Sequence, residues 1–164
     1  MASFKNRESN VTRANEKRQR KALAALTGLG FLPPARAQYA PPYDAIIVDR
    51  DEIKEVAFAE FKDRTNYQPI RRGMDVFLSP GKYARLVKLG QERDLPVYFV
   101  VEDAPGEFFF AQLYEGLDAQ WERELNPDVT QAEEHPDHDV ILVPHKEFIP
   151  CGWMRQDIRD SSGF

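Results

Sequence analysis

YDAIIVDRDEIKEVAFAEFKDR, residues 43–64, is the stretch on which the fold turns. Asp44-Ala45-Ile46-Ile47-Val48 is an apolar run rich in β-branched residues, and residues 55–62 form a second run that alternates apolar and polar toward its end. Asp49-Arg50-Asp51-Glu52 between them is turn-like, so the pattern predicts a β-hairpin. Successive side chains of a strand point to opposite faces. Glu60 and Lys62 therefore share one face, about 6.6 Å apart along the strand, while Phe61 points into a core. Pairing of the two runs brings Asp44 to the Glu60 end of the second run. Two carboxylates and one amine then meet at a sheet edge.

That trio suits one chemistry. Asp44, Glu60 and the Phe61 backbone carbonyl offer hard oxygen ligands for Mg²⁺, with Mn²⁺ a plausible substitute. A cation held there activates water and neutralises phosphate charge, and the Lys62 ammonium can orient the nucleophile and stabilise the transition state. Pro42-Tyr43-Asp44 and Glu60-Phe61-Lys62 resemble the motif of the PD-(D/E)XK nuclease superfamily, in particular its Holliday-junction-resolvase-like and phage-type members. The resemblance covers roughly residues 12–113, as a topology. It implies an α/β fold in which a central mixed β-sheet is flanked by helices, with a restriction-endonuclease-like core in the order α-β-β-β-α-β.

Upstream, the first ten residues are polar and read as a frayed, basic N-terminus over residues 1–11. Thr12 is a candidate N-cap for a helix running to Thr27, where Gly28 and Gly30 stop it. Glu16 lies seven residues before Leu23, close to two helical turns, so it shares the apolar stripe of Leu23 and Leu26. An inward carboxylate needs a cation, a donor or a metal. The alternative partner is Arg20, one turn away. Resolvase-type members carry a Glu on the first helix that faces the metal site, and Glu16 is the matching residue. Residues 31–43, FLPPARAQYAPPY, read as an extended proline-rich connector.

Downstream, the polar loop of residues 63–74 carries Arg64, Arg71 and Arg72, candidate phosphate contacts because the loop starts beside Lys62. Ser79-Pro80 opens a helix to about Arg93 with Tyr83, Leu86, Val87 and Leu89 on its buried face. Lys82 on its polar face joins the candidate DNA contacts, and Gln91 resembles a polar residue that some members of the superfamily place near the site. Residues 97–101 read as a strand reached by an αβ crossover, hence parallel to its neighbour, and residues 107–113 as its hairpin partner. Residues 119–125 suggest a short helix. His135-Pro136-Asp137-His138-Asp139 reads as an acidic loop in preference to a metal site, and residues 140–143 as a strand.

The 164 residues suffice for one domain with one core, residues 12–164, with an acidic extension from about residue 114. The net charge of −5 conceals a gradient: +6 over residues 1–36, zero over 37–100 and −11 over 101–164. The basic start can steer toward DNA, and the acidic end must lie off any phosphate path. The single cysteine, Cys151, excludes an intrachain disulfide and fits a reducing cytosol, and no apolar run is long enough to span a membrane. The resemblance places such a protein in the cytoplasm of a bacterial or phage-infected cell. The expected function is a Mg²⁺-dependent DNA endonuclease, with specificity supplied by a homodimer or by DNA shape. The alternative is a PD-(D/E)XK-like module that binds nucleic acid or protein without cleaving.

Overall fold

The computed structural model describes residues 2–34, 41–116 and 141–162. The elements are α1 (Ala2–Thr27), β1 (Gly30–Leu32), β2 (Ala45–Asp49), β3 (Lys54–Asp63), β4 (Val76–Leu78), α2 (Pro80–Arg93), β5 (Val97–Ala104), β6 (Glu107–Leu113), β7 (Ile141–Val143), β8 (Ile149–Pro150) and α3 (Met154–Ser162). Six strands form one mixed sheet in the order β1-β2-β3-β5-β6-β8, and β4 pairs with β7 in a second, two-stranded sheet. β3 and β5 are parallel and every other pair is antiparallel. The fold is thus α/β, a mixed central sheet flanked by helices.

The hairpin expected over residues 43–64 forms, with Ala45 opposite Ala59 and Asp49 opposite Lys54. The crossover through α2 delivers β5 parallel to β3, with Phe58 beside Val97 and Lys62 beside Val101. Side-chain alternation then divides two cores. Ala57, Ala59 and Phe61 face one side with Tyr98, Val100, Leu23 of α1 and Met154 and Ile158 of α3. Phe58 faces the other with Phe99, Val101 and Leu86 and Tyr83 of α2. Glu60 and Lys62 have the parity of Phe58, so they stand on the α2 side.

Several expectations need correction. α1 begins at Ala2, not at Thr12, because no Gly or Pro interrupts residues 2–27 and the residues expected to fray continue the helix. Leu26 is 48% exposed, so the buried stripe of α1 runs through Gln19, Leu23 and Thr27 at intervals of four instead. The connector holds an unforeseen edge strand, β1. It approaches β2 so closely that a Cβ on Gly30 would lie 2.5 Å from Val48 Cγ2, which only glycine permits. β5 runs three residues further than expected and ends in a bulge that leaves Asp103 outside the β6 pairing. The expected helix at 119–125 and the His135–Asp139 loop lie outside the described residues.

Candidate functional site

Asp44 precedes β2 and is fixed from three directions. The Tyr43 ring packs against Phe58 at a tilt of 56°, with centroids 4.9 Å apart. Asp44 N–H donates to the Ala59 carbonyl at 2.8 Å, and its own carbonyl accepts from Arg20 Nη1 at 3.1 Å. The backbone is therefore held before the side chain acts. Asp44 Oδ2 accepts the Phe61 N–H at 2.8 Å, where β3 runs on past the start of β2. In an extended strand a residue's N–H and C=O point the same way, so the Phe61 carbonyl faces this same edge.

Glu60 is 2% exposed, and its Oε1 accepts from Lys82 Nζ at 2.6 Å. Lys82 lies in the first turn of α2, which Ser79 caps by accepting Lys82 N–H. A carboxylate at a helix N-terminus also gains from the helix dipole. Burial nonetheless prevails: together with the Asp44 charge it pushes the Glu60 carboxyl to about 8, against the opposing pull of Lys82. Glu16 is half-buried on α1 and is pushed to about 7, first by burial and then by the charge and a hydrogen bond of Asp44, with Arg20 and Lys82 opposing. Asp44 is thus the hinge between two other carboxylates, Glu16 from one side of the sheet edge and Glu60 from the other. Burial also lowers the Lys62 amine, helped by the nearby charges of Arg64 and Lys82 and opposed by Glu60 and Asp44.

The structure thus brings Asp44, Glu60, Lys62 and Glu16 together, with Arg20 and Lys82 beside them. Lys82, expected among the DNA contacts, is the ion-pair partner of Glu60. Arg64 lies next to Lys62. Arg71 forms an ion pair with Glu107 at 2.5 Å, Arg72 is exposed, and Gln91 donates to Glu115.

Two residues that support the site were not anticipated. Glu102 and Asp103 are fully buried neighbours at the end of β5, and they serve opposite faces. Glu102 sits on the α1 side, accepting from Arg18 Nη2 at 2.5 Å, Gln19 Nε2 at 3.2 Å and Gly106 N–H at 3.0 Å. The Arg18 hydrogen bond chiefly offsets burial and holds the Glu102 carboxyl below its ordinary range. Arg18 lies one half-turn from Glu16, so this pair fixes the rotation of α1 that aims Glu16 at Asp44. Asn15 Nδ2 adds a bond to Asp63 at 3.0 Å. Asp103 accepts the N–H groups of Ile70 at 2.8 Å and Arg71 at 3.0 Å, docking the loop of residues 64–74. The available signal was an acidic pair continuing an apolar strand, VYFVVED, where alternation must send one carboxylate to each face.

Among the described residues, no group of three or more His, Cys, Asp or Glu side chains is arranged to hold a metal ion as it stands. Glu60 is turned to Lys82 and Asp44 Oδ2 to the Phe61 N–H. The donor set still fits a hard divalent cation. Three carboxylates share one edge, and two of them are held well above their ordinary range, first by burial and then by the charge of Asp44. Compared with family models, with curated proteins and with solved structures, the chain matches none of them.

Proposed function

We propose that this protein is a divalent-cation-dependent DNA nuclease of the PD-(D/E)XK type, a resolvase-like endonuclease with a restriction-endonuclease-like core. The supporting observation is the convergence of Glu16, Asp44 and Glu60 beside Lys62 at the open end of β2. Asp44, Glu60 and the Phe61 carbonyl would hold Mg²⁺, or Mn²⁺ in its place. When bound, the cation supplies charge neutralisation at the scissile phosphate and an acidified water. Glu60 would turn from Lys82 to hold the cation, and the Lys82 ammonium would then be available to a phosphate oxygen. Lys62, partly desolvated, orients the attacking water and donates to charge developing in the transition state. Glu16 accepts a proton-bearing partner at the edge of the site, and its half-buried carboxyl is suited to holding a proton near neutral pH. Arg64 and Arg72 would line the approach of the backbone, and Arg71 would join them only by leaving Glu107. A homodimer would place two such sites on a branched or symmetric substrate.

A second reading has its own support. The Glu60–Lys82 ion pair is what a scaffold that binds nucleic acid or protein without cleaving would retain. Supercoiled plasmid incubated with Mg²⁺, with Mn²⁺ and with EDTA separates the two. Cation-dependent nicking that Lys62→Ala abolishes is the expected result. DNA binding without nicking under any cation would establish the non-cleaving module.

A further inference from the structure

Tyr67 is 67% exposed at the tip of the loop that leaves β3 two residues after Lys62. An exposed aromatic ring is commonplace, but this one stands on a loop fixed along its length. The Arg64 carbonyl accepts the N–H groups of both Tyr67, at 2.9 Å, and Gln68, at 2.7 Å. Arg64 N–H in turn donates to the Glu102 carbonyl at 2.9 Å, which prolongs the β3–β5 pairing into the loop. Gln68 holds φ at 49°, a left-handed conformation that a side-chain-bearing residue rarely adopts. Beyond it, Pro69 is buried and the Asp103 carboxylate takes the N–H groups of Ile70 and Arg71. The loop is therefore preorganised, and it spends backbone strain to hold the tyrosine outward.

The turn that carries Tyr67 holds both signs of charge, but its carboxylate, Asp63, is already engaged by Thr65, Asn15 and Arg18, which leaves the cations to set its character. Arg64 begins the same turn, Lys62 stands beside Arg64, and Arg72 is exposed further along the loop. A rigid aromatic face beside positive charge matches a base stacked next to its own phosphate, because every base offers a π-face and every link a negative charge. An apolar peptide would offer those cations no counter-charge. We propose that Tyr67 is a stacking platform for an unpaired base of the DNA substrate, so that the site selects duplex interrupted by an unpaired nucleotide near the scissile phosphate. This rests on the nuclease reading above and adds the substrate class to it.

The test uses the full chain in EDTA, so that binding is read without cleavage. The probes are a labelled intact duplex and the same duplex with one unpaired 2-aminopurine, followed by anisotropy and by 2-aminopurine fluorescence. The parent should bind the interrupted duplex roughly tenfold more tightly than the intact one and quench the 2-aminopurine. Tyr67→Ala should lose both the preference and the quenching while keeping its affinity for intact duplex. Tyr67→Trp should retain both. A preference that survives Tyr67→Ala, or a parent with no preference, overturns the stacking role while leaving cation-dependent nicking of plasmid intact. Failure to bind either probe, together with failure to nick plasmid, overturns the nuclease reading and this inference with it.

Discussion

Glu60→Gln in the metal-free protein tests whether the site holds an undercompensated carboxylate or an ordinary ion pair. Glu60 is almost fully buried, and burial and Asp44 push its carboxyl from 4.5 to about 8 although Lys82 Nζ lies 2.6 Å away. The folded chain thus holds this proton more tightly than the unfolded one. The associated stability is fully present below about pH 4.5 and is lost as pH rises through about 8. Each unit of that interval corresponds to about 1.4 kcal/mol, giving a limit on the order of 5 kcal/mol. Readjustment of Lys82 and proton sharing with Asp44 and Glu16 reduce the observable loss to about 3 kcal/mol. Glu16, raised to about 7, acts in the same direction. Asp63 and Glu102 are shifted downward, so their contributions are lost only as pH falls below their ordinary values of 3.8 and 4.5. Glutamine keeps the shape of Glu60 without its charge. In melts with EDTA between about pH 5 and about pH 8, the parent Tm should fall by roughly 10 °C and that of Glu60→Gln by clearly less. Mg²⁺ should then restore the parent near pH 8 and leave the variant unmoved. Parallel pH curves for the two proteins would refute the claim that Glu60 is short of positive charge.

Lys62→Ala should abolish nicking and leave the anisotropy-measured affinity for duplex within about threefold, because its amine acts mainly on the transition state; equal loss of both would make it a plain phosphate contact. Glu16→Gln should lower the nicking rate at least about tenfold with little change in Tm, and normal cleavage would reduce the site to Asp44, Glu60 and Lys62. Arg18→Ala leaves the buried Glu102 carboxylate with only Gln19 and the Gly106 N–H, so urea denaturation should show a loss of up to about 3 kcal/mol. Arg18→Lys should recover part of that loss, and an unchanged midpoint would show that α1 is held by its apolar face alone.

The hairpin and the trio it carries were legible because their information is local. Two alternating runs around a charged turn set the register, and strand parity alone placed Glu60 with Lys62 opposite Phe61. Ser79-Pro80 was legible for the same reason, since a cap is written within four residues. What stayed hidden depends on partners distant in the chain. β1 is three residues long and exists only because Gly30 can press against Val48, a contact that no pattern within residues 28–34 encodes. Leu26 and Leu23 look equivalent in sequence, yet only Leu23 meets the sheet, because the rotation of α1 is set by Arg18 and Gln19 reaching Glu102 across more than eighty residues.

Lys82 shows how far composition can mislead about a charge. On its own helix it is a polar-face residue, and a solvated lysine or a phosphate contact is the natural reading. Its actual setting follows from the crossover: α2 returns over the face that carries Glu60, with its capped first turn at the carboxylate. Glu60 is then covered by the element that supplies its counter-ion, and under the proposed reading a cation taken up there would have to displace that ammonium. The competition has a direct consequence. Lys82→Met should tighten Mg²⁺ binding, measured by calorimetry without DNA, because Glu60 is released from its partner, and should weaken duplex binding, because a phosphate contact is lost. Interactions with charged partners change by about 1.5–3 kcal/mol when one is removed, so each effect should reach roughly tenfold. Weaker Mg²⁺ binding in that variant would mean that Lys82 positions Glu60 for the cation instead of competing with it, and the exchange proposed for the site would fall.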